Sequence, residues 1–440
     1  MTKKRPVAQD LTRRLFLERS MQIAGATGLS LFAGATCAPI GVSVAHASGA
    51  DDFGPLGPPD QNGLRLPAGF SSRVVALTGQ AVGNSGYLWH AAPDGGATFE
   101  LPSGGWVYVS NAERINGNGG VSAIQFGPSG EIEDAYSILS GTNRNCAGGT
   151  TPWQHWLSCE EVGNGLVWEC DPFAPGSAGI ARPAMGRFNH EAAAVDPVHQ
   201  RVYLTEDRSN GLLYRFTPTS YPDLSSGILE AAEILDPNGE GEIAPGQTRP
   251  LTWHLIPDPS ATNTATRNQA PAASSFDGGE GCWYAANQIY FATKNDSRVW
   301  RLETDTDSIE IIYDFATSPT PELSGADNVY VAPSGDVYVA EDPGDLQIVA
   351  LTPTGAVLPI VQITGQSGTE VTGPALSPDG TRLYFSSQRN PGTTYEVTGP
   401  FVAPPVPVLG GLSHLFLAAT ATVAGARLLR DKSTSKPSAG

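Results

Sequence analysis

Six polar residues stand three positions beyond an aromatic one, in stretches that are otherwise apolar. They are Asn111, Cys159, Glu206, Thr293, Glu341 and Ser387, following Tyr108, Trp156, Tyr203, Tyr290, Tyr338 and Tyr384. The stretches that would pair with three of them open on similar groups: His190-Glu191 before an apolar run, Glu280 before Gly281-Cys282-Trp283-Tyr284, and Asp327-Asn328 before Val329-Tyr330-Val331. A hairpin sets its two outer ends side by side, which predicts Glu191 near Glu206, Glu280 near Thr293 and Asn328 near Glu341. Carboxylates gathered at one place repel strongly unless protons or cations compensate them, so convergence of these ends implies bound metal. Oxygen ligands suit a hard cation such as calcium, and the thiol of Cys159, flanked by Glu160 and Glu161, suits a softer metal such as iron or zinc. The competing reading makes each residue a solvent-facing carboxylate that caps a turn. It is the simpler one for any single position, whereas the repeated offset favours the metal for the set.

The elements that must position these groups are short hairpins. Segments 101–113, 196–207, 332–342 and 376–388 carry a turn containing Gly or Asp and an apolar, aromatic run, and 287–294 repeats the run. A sixth segment, 151–161, has Trp156 where the others have Tyr, and the six aromatics are spaced 48, 47, 87, 48 and 46 residues apart. A period in the upper forties with several strands per unit is a propeller signature, so the expected fold is an all-β, six-bladed β-propeller. The long interval contains the Pro-, Ser- and Asn-rich stretch 222–275. It is expected to be an insertion of about 40 residues lying outside the repeat as a surface excursion.

Composition narrows the function classes. The chain has 440 residues with 51 Gly and 36 Pro, which suits one large all-β domain better than several small ones. Its 26 basic against 44 acidic residues, net charge −18, argue against nucleic acid as a partner. No Gly-x-Ser-x-Gly elbow, His-Glu-x-x-His zinc helix or P-loop is present. At the N-terminus, Thr12-Arg13-Arg14-Leu15-Phe16-Leu17, an apolar stretch and Ala45-His46-Ala47 form a twin-arginine export pattern, so 1–47 is expected to be a signal and 48–400 the propeller. Segment 401–440 holds prolines, a nearly uncharged span over 408–426, and Arg427, Arg430 and Lys432. Residues 408–430 are expected to contact the membrane or a sorting machinery.

The runs Asn145-Cys146-Ala147-Gly148-Gly149, Thr151-Pro152-Trp153, Trp156-Leu157-Ser158-Cys159-Glu160-Glu161, Gly186-Arg187-Phe188-Asn189-His190-Glu191 and Tyr290-Phe291-Ala292-Thr293-Lys294, with Glu280, resemble motifs of the PhoX-type alkaline phosphatases. The likeness covers most of residues 65–395. It implies a six-bladed propeller exported by the twin-arginine route, with a phosphomonoesterase centre of iron and calcium held by a cysteine and several glutamates. Carried over to this chain, the resemblance makes Cys159 the thiolate iron ligand and Glu191, Glu206, Glu280 and Glu341 the leading carboxylates. Glu161, Asp207, Asn328 and Asp342 are further candidates. Arg208, Lys294 and Arg389 directly follow ligand strands or lie near the mouth and are candidates to bind transition-state charge, or else surface cations that balance local acid. The expected substrate is a small phosphate ester, hydrolysed by a monomeric protein outside the cytoplasm. Cys146 and Cys282, both in family-like motifs, are the favoured pair if a disulfide forms.

The chain departs from the family pattern twice: Asn111-Ala112-Glu113 stands for Asn-His-Glu, and Gln388-Arg389-Asn390-Pro391 for a Gln-His-Pro run. Two other function classes therefore stay open, a metal-dependent lactonase or phosphotriesterase and a calcium-stabilised propeller that acts as a surface binding module.

Overall fold

In a computed structural model of the chain, residues 49–401 are described. The twin-arginine signal and the apolar C-terminal segment lie outside them. Among the described residues the chain forms 26 strands and three short 3-10 turns, and no helix is long and apolar enough to cross a membrane.

The strands follow one another as antiparallel meanders. One sheet runs Pro93–Glu100, Trp106–Ala112, Gly119–Phe126, Ile132–Thr142, and the next Asn145–Thr150, Trp156–Glu160, Val167–Cys170, Ile180–Ala181. A nine-stranded sheet holds two meanders, His190–Asp196 through Asp223–Ile234 and Gly279–Ala285 through Ser308–Asp314, bridged by Arg249–Leu255. The fourth sheet, Ala326–Val331 through Val357–Ile363, ends on Leu64–Arg65. The fifth, Val371–Leu376, Arg382–Ser387 and Thr393–Thr398, is completed by Ser71–Leu77 from the other end of the chain. A sheet that takes strands from both chain ends ties an all-β, propeller-like arrangement shut and leaves fewer open edges.

The recurring aromatics explain the period. Each lies on the second strand of its meander, and five of the six are no more than 2% exposed, with Tyr290 at 8%. They pack between neighbouring sheets: Tyr108 stacks on Tyr384 with centroids 5.1 Å apart, within a cluster containing Trp106 and Phe126. Burying each side chain is worth about 2–3 kcal/mol in transfer free energy.

Segment 222–275 is not a surface excursion. Asp223–Ile234 is the fourth strand of its meander, in register with Leu213–Ser220, and Arg249–Leu255 pairs with both Asp223–Ile234 and Ser308–Asp314. Its Pro, Ser and Asn content describes the connections between these strands, and that masked the alternating apolar residues inside them. The four cysteines of the described region are free thiols, so the Cys146–Cys282 pair does not form.

Candidate metal centre

The six first strands share one irregularity. The ladder between first and second strand slips between Pro93 and Gly96, Asn145 and Gly148, His190 and Ala193, Gly279 and Cys282, Ala326 and Val329, and Thr372 and Ala375. A bulge leaves residues unpaired and re-aims their side chains. The residues that open these bulges are Asp94, Cys146, Glu191, Glu280, Asp327 and, in the last sheet, Gly373. Small residues beside them let the first strands approach backbone to backbone; a Cβ on Gly95 would lie 2.5 Å from the Cα of Ala147.

A second contribution comes from the residue directly after each second strand: Glu113, Glu161, Asp207, Lys294, Asp342 and Gln388. Together with Glu370, which directly precedes Val371–Leu376, these positions build four groups of three donor atoms, each group within 4.8 Å: Cys146–Glu161–Glu191, Glu191–Glu280–Asp327, Asp327–Asp342–Glu370 and Asp94–Glu113–Glu370. Glu191, Asp327 and Glu370 are shared, so the groups form one continuous acidic arc.

The arc is buried and short of partners. Burial, with the neighbouring carboxylates, holds Asp94, Glu191 and Glu280 well above the usual carboxylate range. Burial pushes Asp327 up to about 7 in spite of Lys294, and Glu161 to about 7 in spite of Arg144. Burial and the charges of Asp94, Asp327 and Asp342 lift Glu370 to about 10. Glu191 Oε1 is buried with no hydrogen-bond partner. Three cations border the arc. Lys294 Nζ lies 2.8 Å from Glu280 and 3.3 Å from Asp342, and its pKa is raised because these acids and Asp327 outweigh the cost of its own burial. Arg389 bridges Glu113 and Glu370 at 2.7 Å each, and Arg144 lies 2.8 Å from Glu161 and 3.5 Å from Glu113.

Glu161, Glu191, Glu280 and Asp342 fall in the arc, and Lys294 and Arg389 touch it. Asn328 donates to Asp327 at 2.7 Å and accepts from the Gly373 amide. Asp207 raises Glu161 and Glu280 by its charge but joins no group of three. Four expectations need correction. Cys159 packs in an apolar cluster with Leu157, Val167 and Leu204, and burial pushes its thiol up. Glu206 is ion-paired with Arg267 and accepts from the Tyr214 hydroxyl at 2.9 Å. Glu341 accepts the backbone N–H groups of Ser324, Asp345 and Gln347 at 2.9–3.0 Å. Arg208 is exposed and donates to Asn189 Oδ1 at 2.9 and 3.1 Å.

At Glu206, Thr293 and Glu341 the recurring offset thus marks the last residue of the second strand, whose side chain bonds into the turn toward the third; Asn111 and Cys159 fall one residue earlier. The expected hairpin pairings hold in part: His190 pairs with Glu206 and Ala326 with Glu341, each one residue before the bulge residue. Asp94, Glu113, Cys146, Glu370 and Arg144 were missed, and Asp327, seen as a strand-opening group, was passed over for Asn328. For Asp94, Cys146 and Glu370 the signal was an acid or thiol at or just before a first strand, followed within three residues by a glycine, as in Asp94-Gly95-Gly96 and Cys146-Ala147-Gly148-Gly149. Asn111 positions that thiol, donating to the carbonyls of Cys146 and Ala147 at 3.0 and 2.8 Å.

An all-β propeller-like scaffold that gathers acids and a thiol at strand bulges has the donor set of a metal-binding protein. Sequence comparison places it more closely: the family model of alkaline phosphatase PhoX matches residues 89–166 and 162–310, and the chain belongs to that family of phosphatases. Among solved structures, Pseudomonas fluorescens PhoX in complex with vanadate, a transition-state analogue, is 17% identical. The alignment covers 79% of this chain and 98% of that one, with a TM-score of 0.65, which supports the fold. A gluconolactonase from Xanthomonas campestris is 13% identical over 79% of this chain and 98% of that one, with a TM-score of 0.46, a likeness too loose to inform function. No protein of curated function matches the sequence.

Proposed function

We propose that the chain hydrolyses small phosphate monoesters at the acidic arc, using iron and calcium, on a six-bladed propeller exported by the twin-arginine route. Counting the nine-stranded sheet as two blades joined by Arg249–Leu255 supports the count of six. The observation that carries the proposal is the arc itself, nine ligand-type side chains drawn from all six hairpins, in a member of a phosphatase family.

The donor set fits metal. Carboxylates this close cannot all ionise without a cation, and the orphaned Glu191 oxygen points to a missing partner. Cys146, Glu161 and Glu191 would hold the softer ion, and Glu191, Glu280 and Asp327 a hard one such as calcium. Such metals neutralise phosphoryl oxygens and lower the pKa of a bound water. Arg389 stands in one of the family's histidine positions and already offsets the charge of Glu113 and Glu370. The group Asp94–Glu113–Glu370 is therefore compensated by a guanidinium, and the metals belong on the Cys146 to Asp327 side. Lys294 and Arg144, held between acids, present fixed positive charge to an incoming phosphoryl group without a large reorganisation.

The test is elemental analysis of natively exported protein, with p-nitrophenyl phosphate hydrolysis before and after chelation. Bound iron and calcium and a chelation-sensitive monoesterase are expected. Metal-free protein, or hydrolysis indifferent to chelator, would overturn the proposal.

A further inference from the structure

We infer that Arg114 is a specificity residue, selecting phosphate esters whose leaving group carries a second anionic group. This rests on the phosphatase reading above. A pocket of about 680 Å³ opens beside the arc, lined in part by Glu113, Arg114, Ile115, Arg144, Gln388 and Arg389. Arg144 on its wall lies 2.8 Å from Glu161 of the Cys146–Glu161–Glu191 group, so the pocket adjoins the reacting end of any ester held there. A phosphoryl group at the arc leaves its ester substituent this space.

The pocket's arginines are not equivalent. Arg144 is paired with Glu161 and Glu113, and Arg389 with Glu113 and Glu370. Arg114 is exposed, and among the described residues its guanidinium has no carboxylate within 4.0 Å. Its backbone is nonetheless fixed: Arg114 N–H donates to the Ala112 carbonyl at 2.8 Å, and the Arg144 N–H donates to the Arg114 carbonyl at 2.7 Å. A chain of net charge −18 offers few uncompensated cations. One anchored at the lip of a pocket beside a phosphate site is placed to bind a second phosphate or a carboxylate by a charge-assisted hydrogen bond. Ile115, 56% exposed on the same wall, supplies apolar surface for the intervening carbons.

Matched substrates test it. Glycerol 3-phosphate and 3-phosphoglycerate share a carbon skeleton and differ by a carboxylate on the leaving group. Wild type should favour 3-phosphoglycerate in kcat/KM, and Arg114→Ala should lower that preference about tenfold, carried by KM and not by kcat. Arg114→Lys should keep part of the preference and Arg114→Glu should reverse it. Replacing the carboxylate by a second phosphate, in glycerol 1,3-bisphosphate, shows which anion the site takes. An unchanged substrate ratio in Arg114→Ala overturns the inference while leaving the phosphatase reading intact. If no ester is hydrolysed, the phosphatase reading fails instead, and equilibrium binding decides: equal affinity of wild type and Arg114→Ala for 3-phosphoglycerate overturns the inference, and a tenfold loss supports it.

Discussion

Asp327 and Glu341 are one residue out of step on neighbouring strands, since Glu341 pairs with Ala326, and both are buried carboxylates. They do different work. Glu341 points into the turn that follows its own strand, where it receives the N–H groups of Asp345 and Gln347, and it also accepts that of Ser324, just before the first strand. Glu160 does the same for the amides of Asn143 and Leu166, and Glu206 for that of Leu212. Asp327, Glu191 and Glu280, lifted out of the ladder by bulges, meet mainly one another and Lys294. Alternation along a strand sends neighbours to opposite faces, so a shift of one position separates a carboxylate supplied with donors from one that needs a cation.

Substitution at the two kinds of site should separate activity from stability. Glu191→Gln removes a charge shared by two ligand groups and should lower monoesterase activity about a thousandfold, with reduced metal content in elemental analysis. Glu341→Gln should leave the folded enzyme within a few-fold of wild type and cost about 1–2 kcal/mol of stability in urea denaturation. The thiols make the same contrast. Cys146→Ala should deplete the softer metal, whereas Cys159→Ala should cost about 1 kcal/mol of packing and leave the metal in place. Inactive Cys159→Ala with active Cys146→Ala would reverse the assignment of the two regions.

Much of this was legible in the sequence. The period of the buried aromatics located the second strand of every hairpin, because in each of them that strand is buried along nearly its whole length. The same regularity misdirected the site. An offset counted from the aromatic finds Glu206 and Glu341 because each clamps the turn after its own strand, and a structural demand can repeat as faithfully as a functional one. The bulges that aim Asp94, Cys146 and Asp327 add a residue to one strand only. They break the period-two pattern from which facing is read, so these residues looked out of phase. Glu370 precedes its strand, and Arg144 becomes a site residue only because Arg114 and Glu161 flank it in space.

A smaller and graded effect distinguishes the regions by pH. In chelated protein, Asp327 and Glu161 have folded pKa values near 7, raised above their unfolded values chiefly by burial. Between the unfolded value and 7 the folded state binds more protons at these two groups, so their contribution to stability is fullest below about pH 4 and is lost as pH rises through 7. Glu370 extends the decline toward 10. Bound metal replaces those protons and should flatten the profile, so chelator should lower the melting temperature more at pH 8 than at pH 5. An equal loss at both pH values would mean that the arc is not the metal site.

The smallest effect belongs to a carboxylate that is neither a clamp nor a ligand. Glu169 is nearly buried, and burial alone would raise its pKa. Instead His155, Trp153 and Arg182, at 2.6–2.8 Å, hold it down to about 2. Its hydrogen bond to Glu169 is the chief reason that His155 is raised in turn. The signs fix the pH window. The depressed Glu169 contributes stability above its unfolded value near 4.5, lost as pH falls toward 2, and the raised His155 contributes below about 6.5, lost as pH rises through its folded pKa. Between about 4.5 and 6.5 both contributions are present. His155 is one-third exposed and screened by solvent, so Glu169→Gln should cost only about 1–2 kcal/mol at pH 5.5, and less at pH 8. Urea midpoints of wild type and variant at the two pH values measure it. Because Glu169 lies outside the arc, the same loss should appear with and without chelator; a cost that vanished on chelation would tie this cluster to the metal centre and undo the separation drawn between partnered and unpartnered carboxylates.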